Sequence, residues 1–214
     1  MAIVAVIDYG MGNLHSIEKA LKSVSPDSTV HVTADKALIL AADHIVFPGV
    51  GAIRDCMAAL RETGLDKTII EVAKTKPLLG ICIGMQALLQ HSEENGGVEC
   101  LGLLPGDVIK FASGKVDSNG DKLKIPHMGW SQVHREGNSP LFKGIEQNER
   151  FYFVHSYHAS QVDSAIVSAY TAYPNNFPSA LKLNNILAVQ FHPEKSQHAG
   201  LQLLKNFLNW DGQS

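Results

Sequence analysis

One cysteine, Cys82, lies in the segment of the chain best suited to nucleophilic chemistry. It follows the apolar residues 78–81, which suit a strand buried on both faces, and it precedes the strong helix formers 85–89. Gly80 and Gly84 flank it at two residues on either side, which is the spacing of a nucleophile elbow. A thiol in such a turn lies at a helix amino end, where the helix dipole favours the thiolate. The same pattern is typical of a buried structural cysteine, so a catalytic role requires a base.

A histidine and a glutamate near the end of the chain can supply that base and the group that orients it. Residues 186–191 predict a buried strand, and His192, Pro193 and Glu194 follow it directly. In an extended segment His192 and Glu194 point the same way, so the carboxylate can reach one imidazole nitrogen. An isolated His-Pro-Glu segment is also common as a polar turn before a helix. Because Cys82 and His192 are both predicted at carboxyl ends of strands, where open α/β sheets collect reactive groups, the pattern favours a Cys-His-Glu site.

Two parts of the chain offer backbone N–H groups for an oxyanion. Ile83 follows the cysteine directly, and its amide would start the helix. The other candidate is the loop formed by Pro48, Gly49, Val50 and Gly51, whose glycines allow the backbone to turn an N–H inward. This loop is equally typical of an ordinary strand-to-helix connection, so its role depends on what lies beside it.

A metal site is the competing explanation for the histidines. His155 and His158 are three residues apart in a segment that predicts a strand. Positions i and i+3 of a strand face opposite sides, so this pair is a poor chelate. We therefore expect neither a metal nor another cofactor.

The composition predicts a soluble, mildly acidic globular protein. The chain has 214 residues, of which 45% are hydrophobic and 18% charged, and its net charge of −3 gives no field that would gather nucleic acid or an anionic membrane. Its three cysteines, Cys56, Cys82 and Cys100, have no C-x-x-C spacing, so they fit a reducing compartment such as the cytoplasm. The apolar residues 2–7 end at Asp8 and are too short for a secretory or transmembrane segment, so they predict a first strand.

The order of strands and helices predicts the α/β fold class. Up to residue 82, apolar strands alternate with helical segments, which is typical of βα units on an open, mostly parallel, flavodoxin-like sheet. The predicted strands are residues 3–8, 29–33, 44–47 and 78–81, and the predicted helices are residues 14–24, 35–42, 53–62 and 66–74.

The later part of the chain predicts an antiparallel or mixed extension of that sheet. After a loop at residues 92–97, the predicted strands are residues 108–111, 122–125, 131–133, 150–157, 165–172, 179–184 and 186–191. Asn184 and Asn185 predict a hairpin turn, and residues 199–208 predict a last helix. We expect one domain that spans residues 1–214.

The chain resembles the class I, or triad, glutamine amidotransferases. The segments that carry the resemblance are residues 8–13, 48–52, 80–86, 126–130, 151–157 and 191–195. In order and extent they are similar to the glutaminase subunits of imidazole glycerol phosphate synthase, an enzyme of histidine biosynthesis. Most class I relatives carry Pro-Gly-Gly at the oxyanion loop, and Val50 in place of the second glycine points to this branch.

The resemblance implies a reaction and a set of roles. Cys82 attacks the side-chain amide of L-glutamine, His192 accepts its proton, and Glu194 holds the imidazole. Ammonia leaves, and water then releases glutamate from the γ-glutamyl thioester. The other roles that the resemblance implies are glutamine binding at Gln86, Glu94, His155, Ser156 and Tyr157, and oxyanion binding at Gly49, Val50, Gly51 and Ile83.

The resemblance also implies a partner. In this family ammonia passes to a (β/α)₈ barrel cyclase subunit, which makes imidazole glycerol phosphate and an aminoimidazole carboxamide ribotide. The chain has no room for a barrel of roughly 250 residues, so we expect a heterodimer with a separate chain. Asn13, Trp130 and Lys195 lie in segments that resemble the docking face, although a lone tryptophan such as Trp130 is usually a core residue. The family's glutaminase is weak until the partner is bound, which makes the Val50 loop a candidate switch.

Three other functions stay open at the level of sequence. The first is another cysteine hydrolase of the same fold, such as a γ-glutamyl hydrolase or a peptidase, which product analysis would distinguish. The second is a different triad amidotransferase, which an exchange of synthase partners would reveal. The third is a non-catalytic flavodoxin-like binding module, in which Cys82 would be unreactive.

Overall fold

Strands and helices alternate through the first part of the chain. The computed structural model describes residues 2–114, 116 and 122–213. Each longer helix buries one apolar face, which in α1 is formed by Ile17, Ala20 and Leu21. The elements are strands β1 (Ile3–Ile7), β2 (Thr29–Thr33), β3 (His44–Gly49) and β4 (Leu78–Cys82), and helices α1 (Leu14–Val24), α2 (Lys36–Ala41), α3 (Ile53–Thr63), α4 (Leu65–Val72) and α5 (Ile83–Leu88).

Short strands dominate the later part of the chain, which ends in one more helix. The strands are β5 (His91–Ser92), β6 (Val98–Glu99), β7 (Asp107–Lys110), β8 (His127–Gln132), β9 (His134–Arg135), β10 (Arg150–His155), β11 (Tyr157–Ser160), β12 (Val167–Ala172), β13 (Asn176–Leu183) and β14 (Ile186–Val189), and the helix is α6 (Gln197–Leu208). Short 3₁₀ turns occupy Glu94–Gly96, Pro140–Phe142, Ser164–Ile166 and Pro193–Lys195. In the part of the chain that the structure describes, no helix combines the length and the apolar character needed to cross a membrane.

Eight of the described strands form the main sheet, in the order β2-β1-β3-β4-β14-β13-β12-β9. The neighbours from β2 to β14 are parallel, and those from β14 to β9 are antiparallel. This confirms the predicted α/β fold with a mostly parallel sheet and an antiparallel extension. Strands β4 and β14 are apolar and buried at every residue, as central parallel strands are. The order places the carboxyl ends of β3, β4 and β14 side by side.

The antiparallel extension is smaller than predicted because two further sheets take some of its strands. Strand β8 pairs with β10, and strands β11, β7, β5 and β6 form a sheet in that order. The predicted single strand over residues 150–157 is wrong, since it breaks at Ser156. His155 pairs with His127 on β8, whereas Tyr157 pairs with Lys110 on β7, so the two halves follow different partners.

The break at Ser156 also changes the relation between the two histidines around it. His155 and His158 do not face opposite sides, because both rings pack against Phe111, at centroid distances of 5.1 and 4.5 Å. The Nδ1 atoms of the two rings have different partners. His155 Nδ1 donates to the carbonyl of Tyr157, and His158 Nδ1 lies 2.9 Å from the carbonyl of Ala159.

Two further local predictions have opposite outcomes. The predicted strand over residues 122–125 is wrong. Among the described residues, Lys122 forms only an isolated bridge with Val116, and the next strand, β8, begins at His127. Residues 117–121 lie outside the described part of the chain. The predicted turn at Asn184 and Asn185 is confirmed, since it joins the antiparallel strands β13 and β14.

The turn between β4 and α5 is packed too closely for side chains at its two glycines. A Cβ on Gly84 would lie 1.9 Å from the backbone oxygen of Phe47 on β3, and one on Gly80 would lie 2.6 Å from Leu88 Cδ1. Between them, Cys82 has φ 55° and ψ −110°, a conformation that L-residues rarely adopt. Missing side chains and a strained central residue are what the elbow spacing predicts.

We expect Gly84→Ala to lower the free energy of unfolding by about 3 kcal/mol or more, because the new Cβ overlaps a backbone atom that no rotamer change can move. Urea titration measures this loss. The control is Ala58→Gly on the exposed face of α3, which reports helix propensity alone and should lower the free energy of unfolding by about 1 kcal/mol. A loss at position 84 no larger than the loss in the control would contradict the close packing.

Candidate active site

Three neighbouring parallel strands bring the predicted reactive groups to one edge of the sheet. Cys82 is the last residue of β4 and is 4% exposed. Gly49 ends β3 and pairs directly with Cys82 in the parallel register. The segment after β14 carries Gln190 and His192, so the carboxyl ends of β3, β4 and β14 meet at the cysteine.

The imidazole of His192 is paired with the carboxylate of Glu194. His192 Nδ1 lies 2.9 Å from Glu194 Oε1, and the two side chains are 2% and 1% exposed. The prediction that His192 to Glu194 is extended is wrong, because Pro193–Lys195 form a 3₁₀ turn. The fixed φ of Pro193 suits the first position of such a turn. The turn nevertheless brings the carboxylate to one imidazole nitrogen, Nδ1, as the pairing of the two residues requires.

The backbone around His192 is anchored by a neighbouring strand. Its N–H donates to the carbonyl of Tyr152 on β10 at 2.9 Å. Ser196 Oγ donates to the carbonyl of His192 at 2.6 Å and accepts from the N–H of Tyr152 at 3.0 Å. Beneath these bonds the rings of Phe151 and Phe191 pack at a centroid distance of 4.2 Å. The imidazole is therefore fixed by main-chain bonds and by core packing as well as by Glu194.

The site favours a protonated His192. Burial by itself lowers the pKa of the ring, but interactions with the Cys82 sulfur and with the Glu194 carboxylate outweigh burial and raise the pKa to about 10. Within the described residues, His192 Nε2 makes no hydrogen bond of standard geometry, so the sulfur is the group that acts on this side of the ring. This arrangement suits a base that takes the proton of a thiol.

Gln190 is a site residue that the sequence patterns did not single out. It is fully buried, its Nε2 donates to Cys82 Sγ at 3.7 Å, and its Oε1 accepts from Gln86 Nε2 at 3.0 Å. The available signal was one polar residue inside the otherwise apolar segment 186–191, because a buried amide needs partners.

A cavity of about 250 Å³ opens beside the cysteine. Pockets for small molecules usually span about 300–1,000 Å³, so this one suits a small metabolite rather than a folded peptide. Most of the residues predicted for catalysis, substrate and oxyanion binding line it, namely Val50, Gly51, Cys82, Ile83, Gln86, Glu94, His155, Ser156, Tyr157 and His192. Pro126 and Val154 complete the lining, and Glu194 lies behind His192.

The acidic side chain in this cavity, Glu94, is tied to the loop that follows β3. Glu94 Oε2 accepts from the N–H of Ile53 at 3.1 Å, at the amino end of α3. Helix α3 begins just after Gly51, so this bond fixes where the Val50 loop joins the helix. The carboxylate is also favourably placed at the positive end of the helix dipole.

The candidate oxyanion strand has no room for a side chain at Gly49. A Cβ there would lie 2.4 Å from the hydroxyl oxygen of Tyr9 and 2.9 Å from Ile83 Cβ. Tyr9 is 5% exposed, and within the described residues its hydroxyl makes no hydrogen bond of standard geometry. Burial raises the pKa of Tyr9, so this group is a neutral donor. Tyr9 and Ile83 thus occupy the space that a side chain at position 49 would need.

Two of the predicted docking residues, Trp130 and Lys195, lie beside the ring of Tyr152, and the third, Asn13, adjoins a neighbouring helix. Trp130 is 40% exposed, and its ring meets that of Tyr152 at 6.1 Å. Lys195 Nζ lies 5.8 Å from the centre of the same tyrosine ring. Asn13 directly precedes α1, which packs against the turn that contains Lys195. Because Trp130 is 40% exposed, the alternative that it is a core residue is wrong. Met128, two residues before it on β8, is 62% exposed.

A wider surface groove, of about 720 Å³, lies elsewhere and contains none of the predicted site residues. Its lining includes Lys74, Lys182 and Asn185, the last of which precedes the first residue of β14. The groove therefore lies at the amino end of that strand, away from the sheet edge that carries Cys82.

Comparison with known families gives a match over most of the chain. The family model "Glutamine amidotransferase class-I" matches residues 5–210. Curated relatives named imidazole glycerol phosphate synthase subunit HisH are similar over their full lengths. The relative from Methylococcus capsulatus is 56% identical over 99% of this chain and 98% of its own, and that from Nitrosococcus oceani is 55% identical over all of both chains. The relative from Pseudomonas putida is 52% identical over 99% of each chain.

Solved structures match the fold at lower identity. A structure described as PurLQS from Thermotoga maritima has a TM-score of 0.73 and 20% identity, and covers 98% of this chain and 99% of its own. A structure described as glutamine amidotransferase has a TM-score of 0.72 and 18% identity, and covers 96% and 97%. At these identities the likeness concerns the fold alone.

We expect Glu194→Gln to change the pH dependence of stability. Because the pKa of His192 is raised from 6.5 to about 10, protonated His192 stabilises the folded chain fully below pH 6.5, and this contribution is lost as the pH rises through about 10. Loss of the carboxylate lowers that pKa. The free energy of unfolding should therefore favour the wild type over the variant more strongly at pH 6 than at pH 10, which urea titrations at both values measure.

Glu18→Gln is the matched control for this experiment. Glu18 pairs with Lys22 on the surface of α1, and that hydrogen bond lowers the pKa of Glu18 from 4.5, so Glu18 itself titrates only in more acidic solution. Because the pair is exposed and weak, the difference between wild type and Glu18→Gln should change little from pH 6 to pH 10. An equally small change for Glu194→Gln would show that the carboxylate does not act on the charge of His192.

Proposed function

Since the chain belongs to the class I glutamine amidotransferase family, we propose that it is the glutaminase subunit of an imidazole glycerol phosphate synthase. In this role it hydrolyses L-glutamine to glutamate and ammonia, with residues 1–214 acting as one amidotransferase domain. The proposal is supported by the full-length identity to relatives of that name, which exceeds half of all positions. This identity favours the proposed function over another cysteine hydrolase or a non-catalytic binding module.

One observation carries the proposal. A buried thiol, an imidazole and a carboxylate follow one another at the edge of a cavity sized for a small metabolite, with His192 Nδ1 2.9 Å from Glu194 Oε1. Cys82 supplies the nucleophile, His192 the acid-base group, and Glu194 the group that orients and charges the ring. This is the set of groups that amide hydrolysis through a covalent intermediate requires.

In the acylation step the Cys82 sulfur attacks the side-chain carbonyl carbon of glutamine. His192 takes the thiol proton, and the raised pKa of its ring favours that transfer. The developing oxyanion accepts hydrogen bonds from the N–H of Ile83, at the start of α5, and from an N–H of the loop from Gly49 to Gly51. His192 then returns the proton to the departing nitrogen, so that the C–N bond breaks and ammonia leaves.

In the deacylation step water attacks the γ-glutamyl thioester. His192 accepts a proton from this water and later returns it to the sulfur as the C–S bond breaks, which releases glutamate and restores Cys82. Glu194 stabilises the imidazolium through Oε1 in both steps. The His192 ring therefore carries the proton in both steps, and the Glu194 carboxylate compensates its positive charge.

The cavity lining fits the two ends of glutamine. The Glu94 carboxylate attracts the α-ammonium group, and the unpaired Gln86 Oε1 accepts a hydrogen bond from a substrate N–H. His155, Ser156 and Tyr157 also line the cavity, at the break between β10 and β11. We assign these residues to glutamine binding.

We further propose that ammonia passes to a (β/α)₈ barrel cyclase subunit in a heterodimer. The barrel uses it to make imidazole glycerol phosphate and an aminoimidazole carboxamide ribotide. The docking face that we assign to it contains Asn13, Trp130 and Lys195, together with the exposed apolar side chain of Met128. A cytoplasmic location is supported by the three cysteines, all of which are free thiols.

We expect Cys82→Ser to abolish synthesis from glutamine by the complex with the barrel subunit and to leave synthesis from added ammonium salts intact. The serine hydroxyl is a weaker nucleophile and cannot form the thioester, whereas the barrel does not need the glutaminase once ammonia is present. Both activities are measured by product formation in one assay. Cys100→Ser, at the half-buried thiol outside the cavity, should keep both activities. Survival of the glutamine-dependent activity in Cys82→Ser would refute the mechanism.

We expect the chain to form a one-to-one complex with the barrel subunit, and Met128→Glu to weaken it. A charge at this exposed apolar position must lose its hydration in the interface. Analytical ultracentrifugation measures the association constant. Leu40→Glu is the control, because Leu40 is also an exposed apolar residue but lies on α2, which packs on β1, β2 and α4. Equal association constants for the two variants would exclude the face around Trp130 as the docking site.

A further inference from the structure

A continuous chain of hydrogen bonds runs from strand β8 to the sulfur of Cys82. Its links are Ser131 Oγ to His127 Nε2 at 2.8 Å, His127 Nδ1 to His155 Nε2 at 3.0 Å, His155 Nδ1 to the Tyr157 carbonyl at 2.8 Å, Gln86 Nε2 to the same carbonyl at 3.0 Å, Gln86 Nε2 to Gln190 Oε1 at 3.0 Å, and Gln190 Nε2 to Cys82 Sγ at 3.7 Å. The cysteine thus has a polar connection to a strand of another sheet.

The carbonyl of Tyr157 fixes the direction of the histidine half of this chain. A carbonyl only accepts, so His155 must carry its proton on Nδ1, and in the neutral ring Nε2 is then an acceptor. His127 must therefore donate from Nδ1, which leaves its Nε2 to accept from the hydroxyl of Ser131. Burial lowers the pKa of His127 to about 4 and that of His155 to about 3, so both rings stay neutral at physiological pH.

The same carbonyl fixes the glutamine half. Gln86 Nε2 gives one hydrogen to Tyr157 and the other to Gln190, so the Gln86 amide cannot be reversed without bringing its oxygen against another oxygen. Gln86 lines the cavity, and its Oε1 is buried and has no partner among the described residues. Because Gln190 Oε1 is an acceptor, its Nε2 is the group that meets the sulfur. Every member of the chain has one permitted orientation.

We propose that Ser131, His127 and Gln190 are positioning residues for the glutaminase reaction. Through this chain they hold the acceptor Gln86 Oε1 toward the substrate and keep a hydrogen-bond donor on the Cys82 sulfur. The effect on catalysis rests on the proposed function, because it requires glutamine in the cavity. The orientation of the hydrogen-bond chain does not rest on the proposed function, because it follows from the geometry of the free protein.

Nuclear magnetic resonance of the ¹⁵N-histidine-labelled chain tests the orientation without any assay of activity. We expect His127 and His155 to be neutral, with the proton on Nδ1, between pH 6 and pH 8. Ser131→Ala should shift the Nε2 signal of His127 and leave the signals of His158 unchanged. A proton on Nε2 of either neutral ring, or an imidazolium at pH 6, would refute the proposed orientation of the hydrogen bonds, whatever reaction the protein catalyses.

Steady-state glutaminase kinetics with saturating barrel subunit test the effect on catalysis. Ser131→Ala should raise KM for glutamine roughly three- to tenfold with little change in kcat, because one lost hydrogen bond loosens substrate binding while Cys82, His192 and Glu194 are untouched. Ser131→Thr keeps the hydroxyl and should restore KM. Gln132→Ala, an exposed neighbour on β8, should leave both constants unchanged.

The two measurements separate failure of this proposal from failure of the proposed function. An unchanged KM in Ser131→Ala, in an active complex, would refute the positioning role. A wild-type chain that shows the expected histidine signals but no glutaminase activity with the barrel would refute the proposed function and leave the orientation of the chain standing.

Discussion

The close approach of α5 to strands β3 and β4 is the constraint on which the rest of the site depends. Gly84 lies so near the backbone oxygen of Phe47 that no side chain fits between them, and this contact sets the start of the helix. Cys82 is held at positive φ as a result, with its side chain at the helix amino end. The same packing of α5 on β3 and β4 brings Ile83 beside Gly49. It therefore positions both the nucleophile and the two candidate groups for binding the oxyanion.

Main-sheet topology then determines which groups reach the nucleophile. Strand β14 arrives late in the chain, yet it lies between β4 and β13, so that the segment beyond it ends next to Cys82. Its apolar residues are buried, and the polar residues that follow are buried too, which is tolerable only because each has a partner. Gln190 finds Gln86 and the sulfur, and His192 finds Glu194. The polar site is therefore built into the sheet edge and not added to its surface.

The sequence predicted the features that follow from strong local patterns, and it missed several that depend on pairing between distant segments. The elbow around Cys82 and the alternation that gives a parallel sheet are local patterns, and both were predicted correctly. The break at Ser156 could not be read from residues 150–157, because it arises where pairing passes from β8 to β7. Gln190 was missed for the same reason: its partners Gln86 and Cys82 are 104 and 108 positions away, and only the fold brings them together.

Among the described residues, seven buried side-chain atoms make no hydrogen bond of standard geometry, and four of them belong to the site around Cys82. These four are Tyr9 Oη, Gln86 Oε1, His192 Nε2 and Glu194 Oε2. An unpaired buried polar atom destabilises a fold by about 1–3 kcal/mol, so several at one place are costly to retain. The hydrogen-bond chain through Tyr157 explains one of them, because it consumes both hydrogens of the Gln86 amide and leaves its oxygen free. The hydrogen-bond chain therefore fixes the Gln86 amide with its oxygen as an unpaired acceptor. A site that selects a substrate by its N–H group requires such an acceptor.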